Sequence, residues 1–288
     1  MTTNVKFERE RSVVVQQEGA VVTIQLLPFA EAFALDPPAD VHWDLQAVLN
    51  QIRDDHSVRV VVITGRYDGE FLVTPKTSTY ERPAALARLA DPAAAHKLMS
   101  GIVRLHTTMT ELEQPIIAKV NGDAVGFGQS IAFSSDLIYA WEDARFSDVH
   151  LGQGEVRGGI DSDSLGPPFG TVPGDGAGVT VPLFMSPVRA KEYLMLAQTL
   201  SGAELAAMHC INSAVAPDDL DELVDTVAAK LLSRSPYALG WTKRLVNRHV
   251  VDQLHRGLDL GIAYELLNFA HAEREITGEP SAPSPSDG

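Results

Sequence analysis

The chain has 288 residues, 45% hydrophobic and 21% charged, which supplies a core for one large domain or two small ones and excludes a disordered chain. Lys plus Arg number 23 against 38 Asp plus Glu, a net charge of −15, and such an acidic field works against nucleic acid, anionic membrane and polyphosphate ligands. The single cysteine, Cys210, excludes an intrachain disulfide, no paired Cys/His spacing suggests zinc, and no apolar run of about 18 residues is present to span a bilayer, so a cytoplasmic protein is expected.

In chain order, Ser12 to Gln17 and Ala20 to Leu27 are β-branched runs split by Glu18-Gly19, a hairpin pattern. A helix is predicted around Asp40 to Asp54, with Leu45, Val48, Leu49 and Ile52 on one face. Val58 to Thr64 is a continuous apolar strand of the kind buried on both faces. Ala84 to Leu112 reads as helix, Pro115 to Val120 as a second buried strand, and Leu137 to Trp141 as a third, with a helix near Gly128 to Ser134 between these last two. Strand alternating with helix is the α/β pattern. Val149 to Gly178 is rich in Gly, Pro and Asp and reads as loop. Helices are predicted beyond it at Gly176 to Phe184, Pro187 to Ala197, Ser201 to Met208 (opened by a capping box), Asp218 to Ser233, Tyr237 to Asn247 and Val251 to Arg274. The divisions expected are a core over 1–200, a helical region over 201–277 and a Pro/Ser/Gly-rich disordered tail over 278–288.

The chemistry-bearing segment is Ile116 to Phe146. A strand ends at Asn121-Gly122, and the turn Gly126-Phe127-Gly128 opens a helix whose free N–H groups suit an anion or a developing oxyanion. Two glycines before a helix are also what tight helix–strand packing requires. With Val120-Asn121-Gly122 before the turn, and Asp136 and Ala144-Arg145-Phe146 after it, the segment resembles the crotonase (enoyl-CoA hydratase/isomerase) superfamily. Val60 to Gly65 and Pro173-Gly174-Asp175-Gly176 also match, and the likeness runs from about Glu18 to Ala272. It implies a crotonase-like ββα spiral with C-terminal helices around a three-fold axis, hence a homotrimer or a dimer of trimers.

The departures from that pattern bear on the reaction. The two glutamates a hydratase of this family sets around one water fall at Ser130 and His150. The first oxyanion donor falls at Pro75, beside Val73, and proline has no N–H; Phe127, with Gly128 after it, keeps a backbone N–H to offer. The loop Pro28 to Phe33 is apolar and acidic where CoA-binding members carry Arg or Lys.

Thr171 to Gly178 and Gly257 to Leu267 resemble the β-diketone hydrolase (6-oxocamphor hydrolase) branch. That branch is CoA-independent, needs no cofactor or metal, and cleaves a C–C bond of cyclic β-diketones by a retro-Claisen reaction. The resemblance implies His150, Asp175 and Glu265 as catalytic residues. In that reading His150 deprotonates water, Asp175 orients His150, and Glu265 places water or returns the proton. An insertion, Leu151 to about Pro168, separates the first two; its Glu155, Asp161 and Asp163 read as a solvated lid.

Plainer readings stand beside these. His150 next to Asp148 is what a surface loop looks like, Asp175 suits a helix N-cap, and Glu265 suits a helix surface. His106, His209, His249, His255 and His271 read as surface or packing residues, and Trp43, Trp141 and Trp241 as core. Phe29, Phe33, Phe71, Phe127 and Phe169 hint at an apolar pocket for a small diketone. The competing functions are an acyl-CoA hydratase or isomerase and a catalytically weak crotonase-fold protein.

Overall fold

The computed structural model describes residues 11–35, 39–74, 91–152 and 170–277. Pro75, Phe169, most of the 151–168 insertion with Glu155, Asp161 and Asp163, and the 278–288 tail lie outside the described residues.

Two sheets stack at the centre. The larger one begins with the hairpin β1 (Val13–Glu18) and β2 (Val21–Leu26), joined through Gly19 at φ +58°. It continues in parallel through β3 (Val60–Gly65), β5 (Ile116–Val120), β7 (Leu137–Trp141) and β10 (Ser213–Val215). Every residue of β3 is buried, as its unbroken apolar run predicts for a strand covered on both faces. The second sheet carries β4 (Gly69–Val73), β6 (Gly122–Val125), β8 (Arg145–Ser147) and the antiparallel β9 (Thr199–Ser201). The chain passes from one sheet to the other at Asn121. Its side chain accepts from the Gly65 N–H (2.9 Å) and donates to the Tyr67 carbonyl (3.2 Å), so it replaces the ladder bonds lost at the crossing.

Helix α1 (Phe29–Ala34) is followed by α2 (Val41–Arg53), which buries Val41, Leu45, Val48, Leu49 and Ile52 and is capped by Asp40, whose carboxylate accepts the His42 N–H at 3.0 Å. Helix α3 (Pro92–Glu111) packs against α2, and α4 (Phe127–Phe133) follows β6. The second half adds α5 (Ala177–Phe184), α6 (Pro187–Met195), α7 (Gly202–Ala207), α8 (Leu220–Leu232) and α9 (Pro236–Thr277). The predicted capping box is present, Ser201 and Glu204 each bonding the other's backbone N–H.

Two expectations are corrected. The pair of helices predicted over 237–274 is one continuous helix, because Arg248, His249 and Val250 include nothing that stops one, and α9 rests on α3 and α5 with Leu254, Leu258 and Ile262 buried against Ile102. Trp241 is 59% exposed on α9 rather than in the core.

Candidate functional site

The chain leaves β8 through Asp148-Val149-His150, at the end of the second sheet. Asp148 is fully buried and its Oδ1 accepts twice from the same neighbour, from the His150 backbone N–H at 3.1 Å and from Nδ1 at 3.0 Å. This is an Asx turn extended by an imidazole. Nδ1 therefore carries a hydrogen, and Nε2 presents a lone pair when the ring is neutral. Facing Nε2 are Glu265 Oε1 on α9 at 3.6 Å and Asp175 Oδ2 at 3.9 Å. Position 150 is 1% exposed. Three residues separated by up to 115 positions, His150, Asp175 and Glu265, thus meet in one buried cluster.

The pairing differs from the expectation in one respect. The carboxylate on Nδ1 is Asp148, not Asp175, because the Asx geometry puts residue 148 within reach of its own neighbour's ring. Burial pulls the His150 imidazole down, but the negative charges of Asp148 and Asp175 and the bonds to Asp148 and Glu265 overcome it and lift His150 well above the ordinary imidazole range. Burial raises Glu265, and His150 offsets this only in part.

The turn Pro173-Gly174-Asp175-Gly176 supplies Asp175, and each of its glycines admits a neighbour. A Cβ on Gly174 would lie 2.4 Å from Glu265 Oε2 and 2.9 Å from the Gly261 carbonyl of α9. A Cβ on Gly176, at φ +121°, would lie 2.4 Å from His106 Nε2. Asp175 Oδ1 is taken by the Ser130 hydroxyl at 3.1 Å and the Ala177 N–H at 3.5 Å, which leaves Oδ2 for His150. The N-cap of α5 is Gly176, so Asp175 is a site carboxylate one residue before the cap rather than the cap itself.

The glycine turn itself is closed to an incoming oxygen at one donor. The Phe127 N–H, expected as an oxyanion donor, donates to the Thr74 hydroxyl at 2.9 Å, and that hydroxyl also reaches the Val125 carbonyl at 3.2 Å. Gly128 lies against β4, where a Cβ would stand 1.9 Å from the Leu72 carbonyl, so its lack of a side chain serves helix–strand packing. Val73 ends β4 and packs on Val125 and Val149. Of the residues expected to bind substrate, Ser130 joins the cluster directly, through Asp175, and Pro75 lies outside the described residues. Phe29 and Phe71 belong to the main core rather than to a pocket.

A match to the enoyl-CoA hydratase/isomerase family model spans residues 17–278. The chain belongs to that family, the crotonase superfamily. It is 26% identical over 256 residues to a short-chain-enoyl-CoA hydratase of Clostridium acetobutylicum, covering 88% of this chain and 86% of that one. A crotonyl-CoA hydratase of Syntrophomonas wolfei is 26% identical over 221 residues, 77% and 76% of the two chains. An enoyl-CoA hydratase/isomerase structure from Mycobacterium paratuberculosis superposes with a TM-score of 0.75 at 25% identity, covering 95% of this chain and all (100%) of that one. The same fold is shared, at TM-score 0.72 and 17% identity over 91% and 95% of the chains, with a β-diketone hydrolase from the cyanobacterium Anabaena bound to (S)-3-oxocyclohexyl acetic acid.

Within this crotonase fold, residues that sequence reasoning set aside sit in or beside the site. Asp148 had a readable signal, the Asp-x-His spacing of an Asx turn. Thr74 had none. His106, read as surface or packing, is buried and bonded to the Asp175 carbonyl at 2.7 Å. His42 lies with its ring 4.0 Å from that of Phe127. Asp148, His150 and Asp175 offer ligand atoms within 4.8 Å of one another, a spread that suits a divalent ion, and the Asp148 carboxylate on Nδ1 is a pairing that serves a metal-bound imidazole and a general base alike. No helix among the described residues is long and apolar enough to cross a membrane.

Proposed function

We propose that the protein hydrolyses a C–C bond of a small apolar β-diketone by a retro-Claisen reaction, without CoA, cofactor or metal. The observation that carries this is the buried imidazole with a carboxylate on one nitrogen and two carboxylates facing the other. Hydration needs two carboxylates on one water, and the positions that supply them in this family's hydratases are Ser130 and His150. Cleavage of a β-diketone needs a base, a carbonyl partner and a proton donor, and the cluster contains the first and the last.

Unpaired polar atoms occur on Glu265, which faces the imidazole, and on the segments that carry and adjoin His150. Among the described residues, Ser147 Oγ, Thr171 Oγ1 and Glu265 Oε2 are buried without a hydrogen-bond partner. Such atoms call for water or a polar ligand. A water held against Nε2 gives its proton to His150, and its oxygen attacks one carbonyl carbon. Asp148 stabilises the imidazolium that forms. The tetrahedral alkoxide collapses, the C–C bond breaks, and its electron pair leaves as the enolate of the second ketone. The imidazolium returns one proton to the enolate carbon, with Glu265, raised by burial, facing the same nitrogen. Diketone plus water gives one keto acid, and atoms balance. The reacting bond is activated by the second carbonyl, so no Lewis acid is required.

The named relatives favour a second reading, an acyl-CoA hydratase or isomerase. A panel of cyclic and acyclic 1,3-diketones and acyl-CoAs, read by mass for a gain of one water, separates the two. We expect turnover of a cyclic diketone and its loss in His150→Ala. Turnover of crotonyl-CoA alone would overturn the proposal. The assembly proposed with it is a homotrimer or a dimer of trimers. Support comes from exposed Tyr237, Trp241, Leu245 and Val246 on α9, a row of apolar side chains that a second copy would cover. A monomeric mass by light scattering would contradict it.

A further inference from the structure

Helix α3 buries Ile102, Leu105 and Met109 on one face, and His106 lies among them at 1% exposure. An imidazole in such a place is usually tied off by local backbone. Here both ring nitrogens reach other elements. Nε2 lies 2.7 Å from the main-chain carbonyl of Asp175, and Nδ1 lies 2.7 Å from the Ser134 hydroxyl at the end of α4. A carbonyl only accepts, so Nε2 must carry hydrogen. Burial holds His106 below the ordinary imidazole range, only partly offset by Asp175 and reinforced by His42, the two titratable groups that act on it. In the neutral ring the Nε2 hydrogen alone fixes the tautomer; the Ser134 hydroxyl lies between Nδ1 and the Ser130 carbonyl (2.8 Å), and its one hydrogen serves one of the two at a time.

The bonds close a ring around Asp175. The Ser130 hydroxyl donates to its Oδ1 at 3.1 Å, the Ser134 N–H donates to the Ser130 carbonyl at 3.1 Å, and Ser134 meets His106. Gly176 at φ +121° completes the fit, since no side chain fits between it and the imidazole. The carboxylate and the carbonyl of one residue are thus gripped by one network, and only Oδ2 is left facing His150.

We propose that His106 is a positioning residue: through the Asp175 carbonyl it aims the Asp175 carboxylate at His150. Its part in turnover rests on the diketone reading; its part in the geometry does not. The test uses the full chain with two variants. His106→Leu removes both bonds at similar volume, and His106→Gln keeps a donor for the Asp175 carbonyl.

The first readout is independent of substrate, the titration of the His150 ring followed by NMR. The His150 midpoint should fall in His106→Leu, by about one pH unit for the weakened carboxylate, and return in His106→Gln. The second readout is cleavage of the diketone found by the panel. A misaimed carboxylate should cost about 10²-fold in kcat with KM little changed. If His106→Leu does not fold, His106→Asn takes its place: its shorter amide does not extend to the Asp175 carbonyl, and the same fall in the His150 midpoint is expected. A folded His106→Leu or His106→Asn with the wild-type His150 titration overturns the proposal. A shifted titration in a protein that cleaves no diketone supports the positioning role and refutes the diketone reading.

Discussion

The tripeptide Asp-Val-His occurs at 40–42 and again at 148–150, and it builds the same local structure both times. In each, the aspartate Oδ1 accepts from the backbone N–H and Nδ1 of the histidine two residues on, at 3.0 and 2.8 Å in the first and 3.1 and 3.0 Å in the second. The surroundings differ. The first caps α2, half open to solvent, with its ring against Phe127; the second is sealed. Among the described residues no hydrogen-bond partner faces Nε2 of His42, whereas Asp175 and Glu265 face Nε2 of His150. The electrostatics follow. Burial alone would raise Asp40, but the bond and charge of His42 hold it below the usual carboxylate range. At the second module the imidazole is the group displaced, well upward. Local sequence is enough to make an oriented imidazole. What distinguishes a candidate base from a helix cap is what remote elements bring to the other nitrogen.

The largest effect should come from Asp148→Asn. The amide still accepts the backbone N–H but is no anion for Nδ1–H, so the favoured tautomer and the stabilised imidazolium are both lost. Turnover of the identified substrate should fall about 10³- to 10⁴-fold with the far-UV circular dichroism unchanged. The pH profile sharpens the same point. Because the folded His150 is raised, its protonated, inactive form persists above the usual midpoint near 6.5, and kcat/KM should climb as pH rises through the raised value. Removing the Asp148 charge lowers that midpoint, so the acid limb of the residual activity should move to lower pH. An unmoved limb would mean that the limb does not report His150.

Next comes the element that distinguishes the two modules by delivering Glu265. Helix α9 is anchored far from the site by Lys243 Nζ, 2.7 Å from Asp136 Oδ2 and 3.1 Å from the Gln114 carbonyl. Burial pulls Lys243 down and pushes Asp136 up, so the pair is held by geometry against desolvation. Asp136 also accepts the Ile116 N–H at 2.7 Å, which ties the helix to β5. Lys243→Met leaves that carboxylate buried without its cation and should cost about 3 kcal/mol in urea unfolding. A cost under about 1 kcal/mol would show that the pair behaves as a surface ion pair.

How much of this was legible in the sequence depends on the range of the interaction. The hairpin, α2 and β7 repeat their pattern every two or three to four residues, β3 and β5 are unbroken apolar runs, and the boundaries of all five were readable to within a few positions. The second sheet was not, because β6, β8 and β9 have four, three and three residues, too few for a period, and exist through pairing with distant strands. His150, Asp175 and Glu265 were reached through motif context alone; their meeting depends on Gly174 letting α9 approach. His106 was passed over because a histidine on an apolar helix face gives no sign that a turn 69 residues away presents a carbonyl to it. The filling of the glycine turn by Thr74 had no local signal at all.

The smallest effect tests the quiet member of the pair. Asp40→Ala removes the helix cap and the Nδ1 partner of His42 together, and the lost cap should cost about 1 kcal/mol of stability. If the first module only caps α2, kcat/KM at constant temperature should stay within about threefold of wild type. His42 nonetheless touches Phe127, and Phe127 opens the helix that carries Ser130 to Asp175. A loss of ten times or more, in a variant whose melting temperature drops only by the cap's worth, would place the first imidazole in the reaction and reduce the contrast between the two modules to one of exposure. Asp40→Asn separates the two roles, since asparagine caps a helix as well as aspartate but carries no charge to the ring.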